Sequence, residues 1–130
     1  MADWNALHTY INRNYKVSED DFKSLRLLFN LDGGRSQLVL VERGGELEGS
    51  EWAIISTAVC DEGEIDPREA LIRNSEMLVG GLALIDGGPV LFRYAIRLAD
   101  LDPPEFEAPL KIAVLFGDSL EQELAKSDKY

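Results

Sequence analysis

Apolar residues recur along this chain with two distinct periods, and the switches between those periods mark its elements. Trp4, Leu7, Ile11 and Tyr15 recur at i, i+3, i+7 and i+11. That spacing is one face of an amphipathic helix over roughly residues 3–14, with Asp3 as its N-cap. The pattern then changes to alternation. In FKSLRLLFNL, the apolar positions are Phe22, Leu25, Leu27, Phe29 and Leu31, with only Leu28 out of step. SQLVLVE follows, and Asp32-Gly33-Gly34-Arg35 between the two runs reads as a hairpin turn, because glycine supplies the positive φ such turns require. RGGELEGS is a glycine-rich connector, and EWAIISTAVC gives a third strand rich in Ile, Val, Thr and Trp.

A second helix is predicted to open at Asp66-Pro67-Arg68-Glu69. Asp suits the cap, proline suits the first turn, and the glutamate favours the positive end of the helix dipole. Leu71, Ser75 and Leu78 share one of its faces, and Gly80-Gly81 is the expected stop. LALI and VLFRYAIRL are the fourth and fifth strands. In the latter, Val90, Phe92, Tyr94, Ile96 and Leu98 point one way and Leu91, Arg93, Ala95, Arg97 and Ala99 the other. The last element opens on Asp102-Pro103-Pro104-Glu105. Pro109 predicts a short turn to about residue 108 and then the main helix to about 125. The apolar positions of that helix cover nearly its whole circumference, which predicts burial on more than one side. The closing AKSDKY is expected to fray. The order αβββαββα, with two hairpins, predicts an α+β fold: a mostly antiparallel five-stranded sheet packed by helices, in one domain over residues 1–130.

Composition narrows the function classes. The chain has 130 residues, 45% of them hydrophobic, which is enough for a core without staples. No apolar run approaches the ~20 residues of a membrane span, and MADWNALHTY lacks the pattern of a secretory signal. The single cysteine, Cys60, offers no disulfide framework and fits a reducing cytoplasm. The formal charge of −11 argues against nucleic acid as a partner. Residues 1–45 are neutral in sum, so the whole excess lies beyond them. It serves solubility or complements a basic partner segment.

Candidate chemistry is sparse. One histidine and one cysteine cannot build a structural zinc site. DEGEID (61–66) lacks the EF-hand spacing and reads as a solvated connector. His8 falls near the apolar face of the first helix with no nucleophile or orienting acid identifiable, so a partly buried structural role is favoured. Nothing basic flanks Cys60 to activate its thiol. Four glycine pairs (33–34, 44–45, 80–81, 87–88) match no phosphate-binding motif, and Gly87-Gly88 leads into Pro89 and a strand rather than a helix N-terminus. No cofactor, catalytic residue or metal ligand is assigned.

What remains is apolar surface. Leu38 and Leu40 share one strand face against Val39 and Val41, and Trp52 and Ile54 oppose Ile55 and Val59. Helices on one side of the sheet only would leave an apolar patch for a protein or peptide. The alternative is that helices or a second subunit cover both faces. The order of elements, with LRLLFNLDGGRSQLVLVERG, EWAIISTAVC, DPREALIRNSEMLVGGLALIDGGPVLFRYAIRLADLDPPEFEAPL and the terminal apolar helix, resembles the type III secretion chaperone-like fold. Within it the chain most resembles the YbjN-type proteins, described as bacterial sensory-transduction regulators. The resemblance implies a compact α/β sandwich, homodimers and the binding of an extended partner segment, and it transfers no site residue. The expected function is therefore a non-enzymatic, dimeric protein- or peptide-binding module. Its surface residues would be Leu38, Leu40, Trp52, Ile54, Ile112, Leu115 and Phe116. The alternative is a small-molecule-binding or enzymatic domain using His8 or the acidic connector.

Overall fold

The computed structural model describes residues 3–125, so the expected fraying of 126–130 lies outside them. The helical periodicity at the N-terminus forms α1 (Trp4–Asn14), with Trp4, Leu7 and Ile11 buried and the Asp3 carboxylate accepting the Ala6 amide. The alternating runs form β2 (Ser24–Asn30), β3 (Ser36–Leu47), β4 (Ser50–Cys60) and β6 (Val90–Arg97). Two short strands lie at the sheet edges, β1 (Val17–Asp20) and β5 (Gly81–Leu84). The other helices are α2 (Pro67–Glu76) and α3 (Pro103–Leu124). The sheet order is β1-β2-β3-β4-β6-β5, and every neighbouring pair is antiparallel.

The α+β class is as expected, but the sheet has six strands rather than five. β1, sequence VSED, is mostly polar and carries no alternating apolar signal, because only Val17 turns toward the core. RGGELEGS is not a loose connector. β3 and β4 stay paired through it, with a bulge between Arg43 and Gly45 and a tight turn at Glu48-Gly49, where both residues have positive φ. Asp32–Gly34 forms the single 3₁₀ turn of the β2–β3 hairpin, with Gly33 at φ +78°.

The helix boundaries also differ from expectation. α2 stops at Glu76, short of Gly80-Gly81, where the Met77 amide bonds back to the Asn74 carbonyl. The early stop lets the Asn74 side chain grip the outer edge of β5. Its Oδ1 accepts the Leu82 amide at 2.7 Å and its Nδ2 donates to the Leu82 carbonyl at 3.2 Å. Pro109 does not divide α3, which runs unbroken through it. The one hydrogen bond proline forfeits is offset by burying Phe106, Pro109 and Leu110 together. Nor is α3 buried all round. Among the described residues only one layer of helices covers the sheet, so α3 buries Ala113, Val114 and Gly117 inward while Leu115 and Phe116 stay exposed.

The core lies between α1, α3 and one sheet face. Leu25, Leu27, Val39, Val41, Ile55, Phe92 and Ile96 point into it from the strands, and Trp4, Leu7, Phe106 and Leu110 from the helices. Tyr10 and Tyr15 of the α1 end pack edge-on against Phe106 of α3, at ring separations of 6.2 and 6.3 Å. α2 contributes no buried residue. It is tied by Asn74 to β5 and by Arg73, which bridges Glu69 and Glu123, to α3.

Candidate functional site

The strands that fill the core with every second residue present the remaining residues to the opposite face, and no described helix packs there. Register fixes its members. Leu28 stands opposite Leu38, Arg26 opposite Leu40, Leu40 opposite Ser56, Ile54 opposite Ala95 and Trp52 opposite Arg97. Leu38, Leu40, Trp52 and Ile54 are therefore brought together on one uncovered surface, each half-buried by its neighbours. Ile112, Leu115 and Phe116 are not part of it. They lie on α3, across the sheet, where Ile112 packs on the core and the Phe116 ring sits 5.4 Å from Phe92. The seven surface residues expected from the sequence thus divide into two groups on opposite sides of the molecule.

Two shallow grooves run over the open face. One, of about 320 Å³, has walls from Leu38, Leu40 and Leu91, with Arg26 at its rim and Ile85, from the β5–β6 turn, leaning over it. The other, of about 230 Å³, lies among Glu46, Leu47, Trp52, Ile54, Arg93 and Ala95. The Trp52 indole is pinned in place by donating its Nε1–H to the Leu47 carbonyl at 3.2 Å. Sequence reasoning did not find Arg93, Ala95, Leu91 and Ile85 as members of this surface. The alternation of β6 placed the first three on its outward side, but only the β4–β6 register sets them beside Ile54 and Ser56.

His8 occupies a different place. Its Nε2 lies 2.9 Å from Asp20 Oδ1 and its ring packs 5.0 Å from Phe22. Asn12 donates to the other Asp20 oxygen, and the Phe22 amide donates to Asp20 Oδ1 at 2.8 Å. Phe22 sits in the left-handed region at φ +72°, an uncommon conformation for a bulky residue. The Trp4 indole holds it from the far side by donating to its carbonyl. The His8–Asp20 pair therefore works as a clamp on a strained β1–β2 turn. The hydrogen bond from His8 and then that from the Phe22 amide hold the Asp20 carboxyl below the usual carboxylate range, and the Ser24 amide and hydroxyl do the same for Asp21. A carboxylate with a depressed folded pKa stabilises above its unfolded value, near ~3.9, and loses that contribution as pH falls through the folded one. In urea titrations between neutral and acid pH, Asp20→Asn should be less stable than wild type at pH 7 and show a shallower acid limb. An acid limb unchanged by the substitution would refute the clamp.

Cys60 is a buried core residue, and burial first, then the carboxylates of Glu64 and Asp61, push its thiol pKa up. Two of the DEGEID carboxylates, Asp61 and Glu64, are turned to capping, with Glu64 Oε1 accepting the Asp61 amide at 2.8 Å in a capping box around a 3₁₀ turn, while Asp66 at the N-cap of α2 makes no side-chain cap hydrogen bond. Among the described residues no group of three or more His, Cys, Asp or Glu side chains could hold a metal ion. Among them, too, no helix is long and apolar enough to cross a membrane.

No protein-family model matches the chain, and no curated protein sequence matches it significantly. The class is therefore the one the geometry defines: an α+β domain with helices on one face of a six-stranded antiparallel sheet and a grooved opposite face on which apolar side chains are mixed with arginine and glutamate.

Proposed function

We propose that this protein is a non-enzymatic binding module that works as a homodimer and holds a segment of a partner protein on the open face of its sheet. One observation carries the reading. Leu38, Leu40, Trp52 and Ile54 crowd one sheet face that none of the described helices covers, with Ser56 and Glu42 set among them, and apolar clusters of this kind mark protein–protein surfaces. A second copy has its own uncovered surface to use. α2 buries nothing, yet exposes Leu71 at 70% and the following Leu78 at 96%. The chaperone-like and YbjN-type resemblance of the sequence agrees with this reading, both in the order of elements and in the binding role it implies.

The mode of binding is face-on rather than by strand addition. β5 is blocked by Asn74, and β1 is four residues long, bulged between Val17 and Glu19, and largely acidic. Light scattering after size exclusion, and co-purification from the native host, should reveal a dimer with a retained partner segment. Ile54→Asp should release the partner while shifting the melting temperature by only a few degrees, since the side chain is half-buried on the outer face. A strict monomer with no retained partner, or retention unaltered by Ile54→Asp, would refute the reading.

A further inference from the structure

The open face carries both signs of charge: Glu42 lines one groove and Glu46 the other, while Arg93 and Arg97 project from β6. The chain carries −11 overall, with the entire excess beyond residue 45. In that acidic part, β6 nevertheless turns Arg93 and Arg97 outward on the open face. Neither meets a carboxylate across the ladder. Arg93 stands between Ser56 and Gly81, and Arg97 opposite Trp52. Among the described residues the Arg93 side chain has no hydrogen-bond or ion-pair partner. Arg97 donates to the Ser50 hydroxyl at 3.0 Å and approaches only Asp100, at 3.9 Å. Between them lies Ala95, whose small side chain leaves a depression beside Ile54 and Trp52.

Resting on the binding reading above, we infer that the segment held on this face is acidic and apolar, with carboxylates flanking an apolar side chain. The two arginines stand four positions apart along β6, about 13 Å at roughly 3.3 Å per residue. An extended segment lying along β6 turns alternate side chains toward it. Carboxylates two residues either side of an apolar one then meet Arg93 and Arg97, while the apolar group enters the depression at Ala95. The pattern is acidic-x-apolar-x-acidic. Planar guanidinium groups favour carboxylates in bidentate geometry, and two arginines with no carboxylate across the ladder offer that geometry along β6.

The test is selection of short random peptides displayed on phage, first on the wild-type protein and then on the Arg93→Glu/Arg97→Glu double variant. Both side chains are exposed, so the variant should fold with an unchanged circular dichroism spectrum. Wild type should enrich Asp or Glu two positions either side of an apolar residue, and the variant should enrich Lys or Arg there. By fluorescence anisotropy, a peptide selected on wild type should bind the variant about tenfold more weakly or worse, the sum of two lost exposed pairs and new repulsion. Enrichment of neutral or basic motifs by wild type, or equal binding to both proteins, overturns the acidic assignment while leaving the binding face intact. A selection that enriches nothing overturns both. A dimer that dissociates in the double variant overturns the peptide assignment in favour of a second copy on the face.

Discussion

Trp4→Ala should cost about 4 kcal/mol, the range for deleting a fully buried large aromatic, and lower the melting temperature by roughly 12 °C or more. Trp4 is 1% exposed, opens α1 and fills the core beside Leu7. Its loss also frees a contact that ties α1 to the sheet: the indole Nε1–H donates to the carbonyl of strained Phe22 at 2.6 Å, whereas the backbone amide of residue 4, which donates to Glu51 Oε2 at 2.8 Å, is kept. Trp4→Phe separates these effects, because it keeps much of the packing and removes the indole donor. It should lose about 1–2 kcal/mol and relax the β1–β2 turn, visible as faster amide exchange there. Denaturant unfolding checks both variants, and a loss below about 1 kcal/mol for Trp4→Ala would mean that α1 is not docked as described.

Gly117→Ala should also destabilise, by about 2 kcal/mol net, although alanine is the better helix former by about 1 kcal/mol. Gly117 lies mid-helix in α3, where a Cβ would come within 2.5 Å of Thr57 Cγ2 and 2.9 Å of Gln37 Nε2. Neither neighbour can give way easily. Thr57 Oγ1 donates to the Leu38 carbonyl at 2.7 Å and accepts from Gln37 Nε2 at 2.5 Å. The adjacent Asp118 is held by a bidentate pair with Arg35, both contacts at 3.0 Å. The clash therefore outweighs the propensity gain. Thr57→Ser removes the offending methyl and keeps the hydroxyl, so the double variant should recover at least half of the loss. Additive losses in the double variant would show that α3 does not sit at this height over the sheet.

Much of this fold is legible in the sequence because periodicity reports burial. The alternation of β6 assigns each of its side chains to a face, and Asp102-Pro103-Pro104-Glu105 marks the start of α3. β1 is not legible: its residues are polar, and its place is set by pairing with β2 rather than by a buried face. RGGELEGS misleads because glycine is read as a break, whereas Gly45 sits in a bulge that lets the β3–β4 ladder continue. Pro109 misleads in the opposite direction, since a proline reads as a stop but tertiary burial carries the helix across it. The site was half visible. Alternation predicted a common face for Leu38 and Leu40, and for Trp52 and Ile54. That α3 would lie on the other side, separating Ile112, Leu115 and Phe116 from them, depended on which sheet face the helices chose. No local pattern encodes that choice.

The Asn74 grip on Leu82 has a further consequence for behaviour at high concentration. A sheet with a free edge grows by accreting strands without limit, because each added strand presents a new edge. Here an amide side chain occupies the place of the next strand on one side, and a short acidic strand ends the other. On the proposed binding reading, copies of the chain meet through helices and sheet faces, which are used up once paired. Light scattering at high concentration should then show particles of fixed stoichiometry rather than fibres.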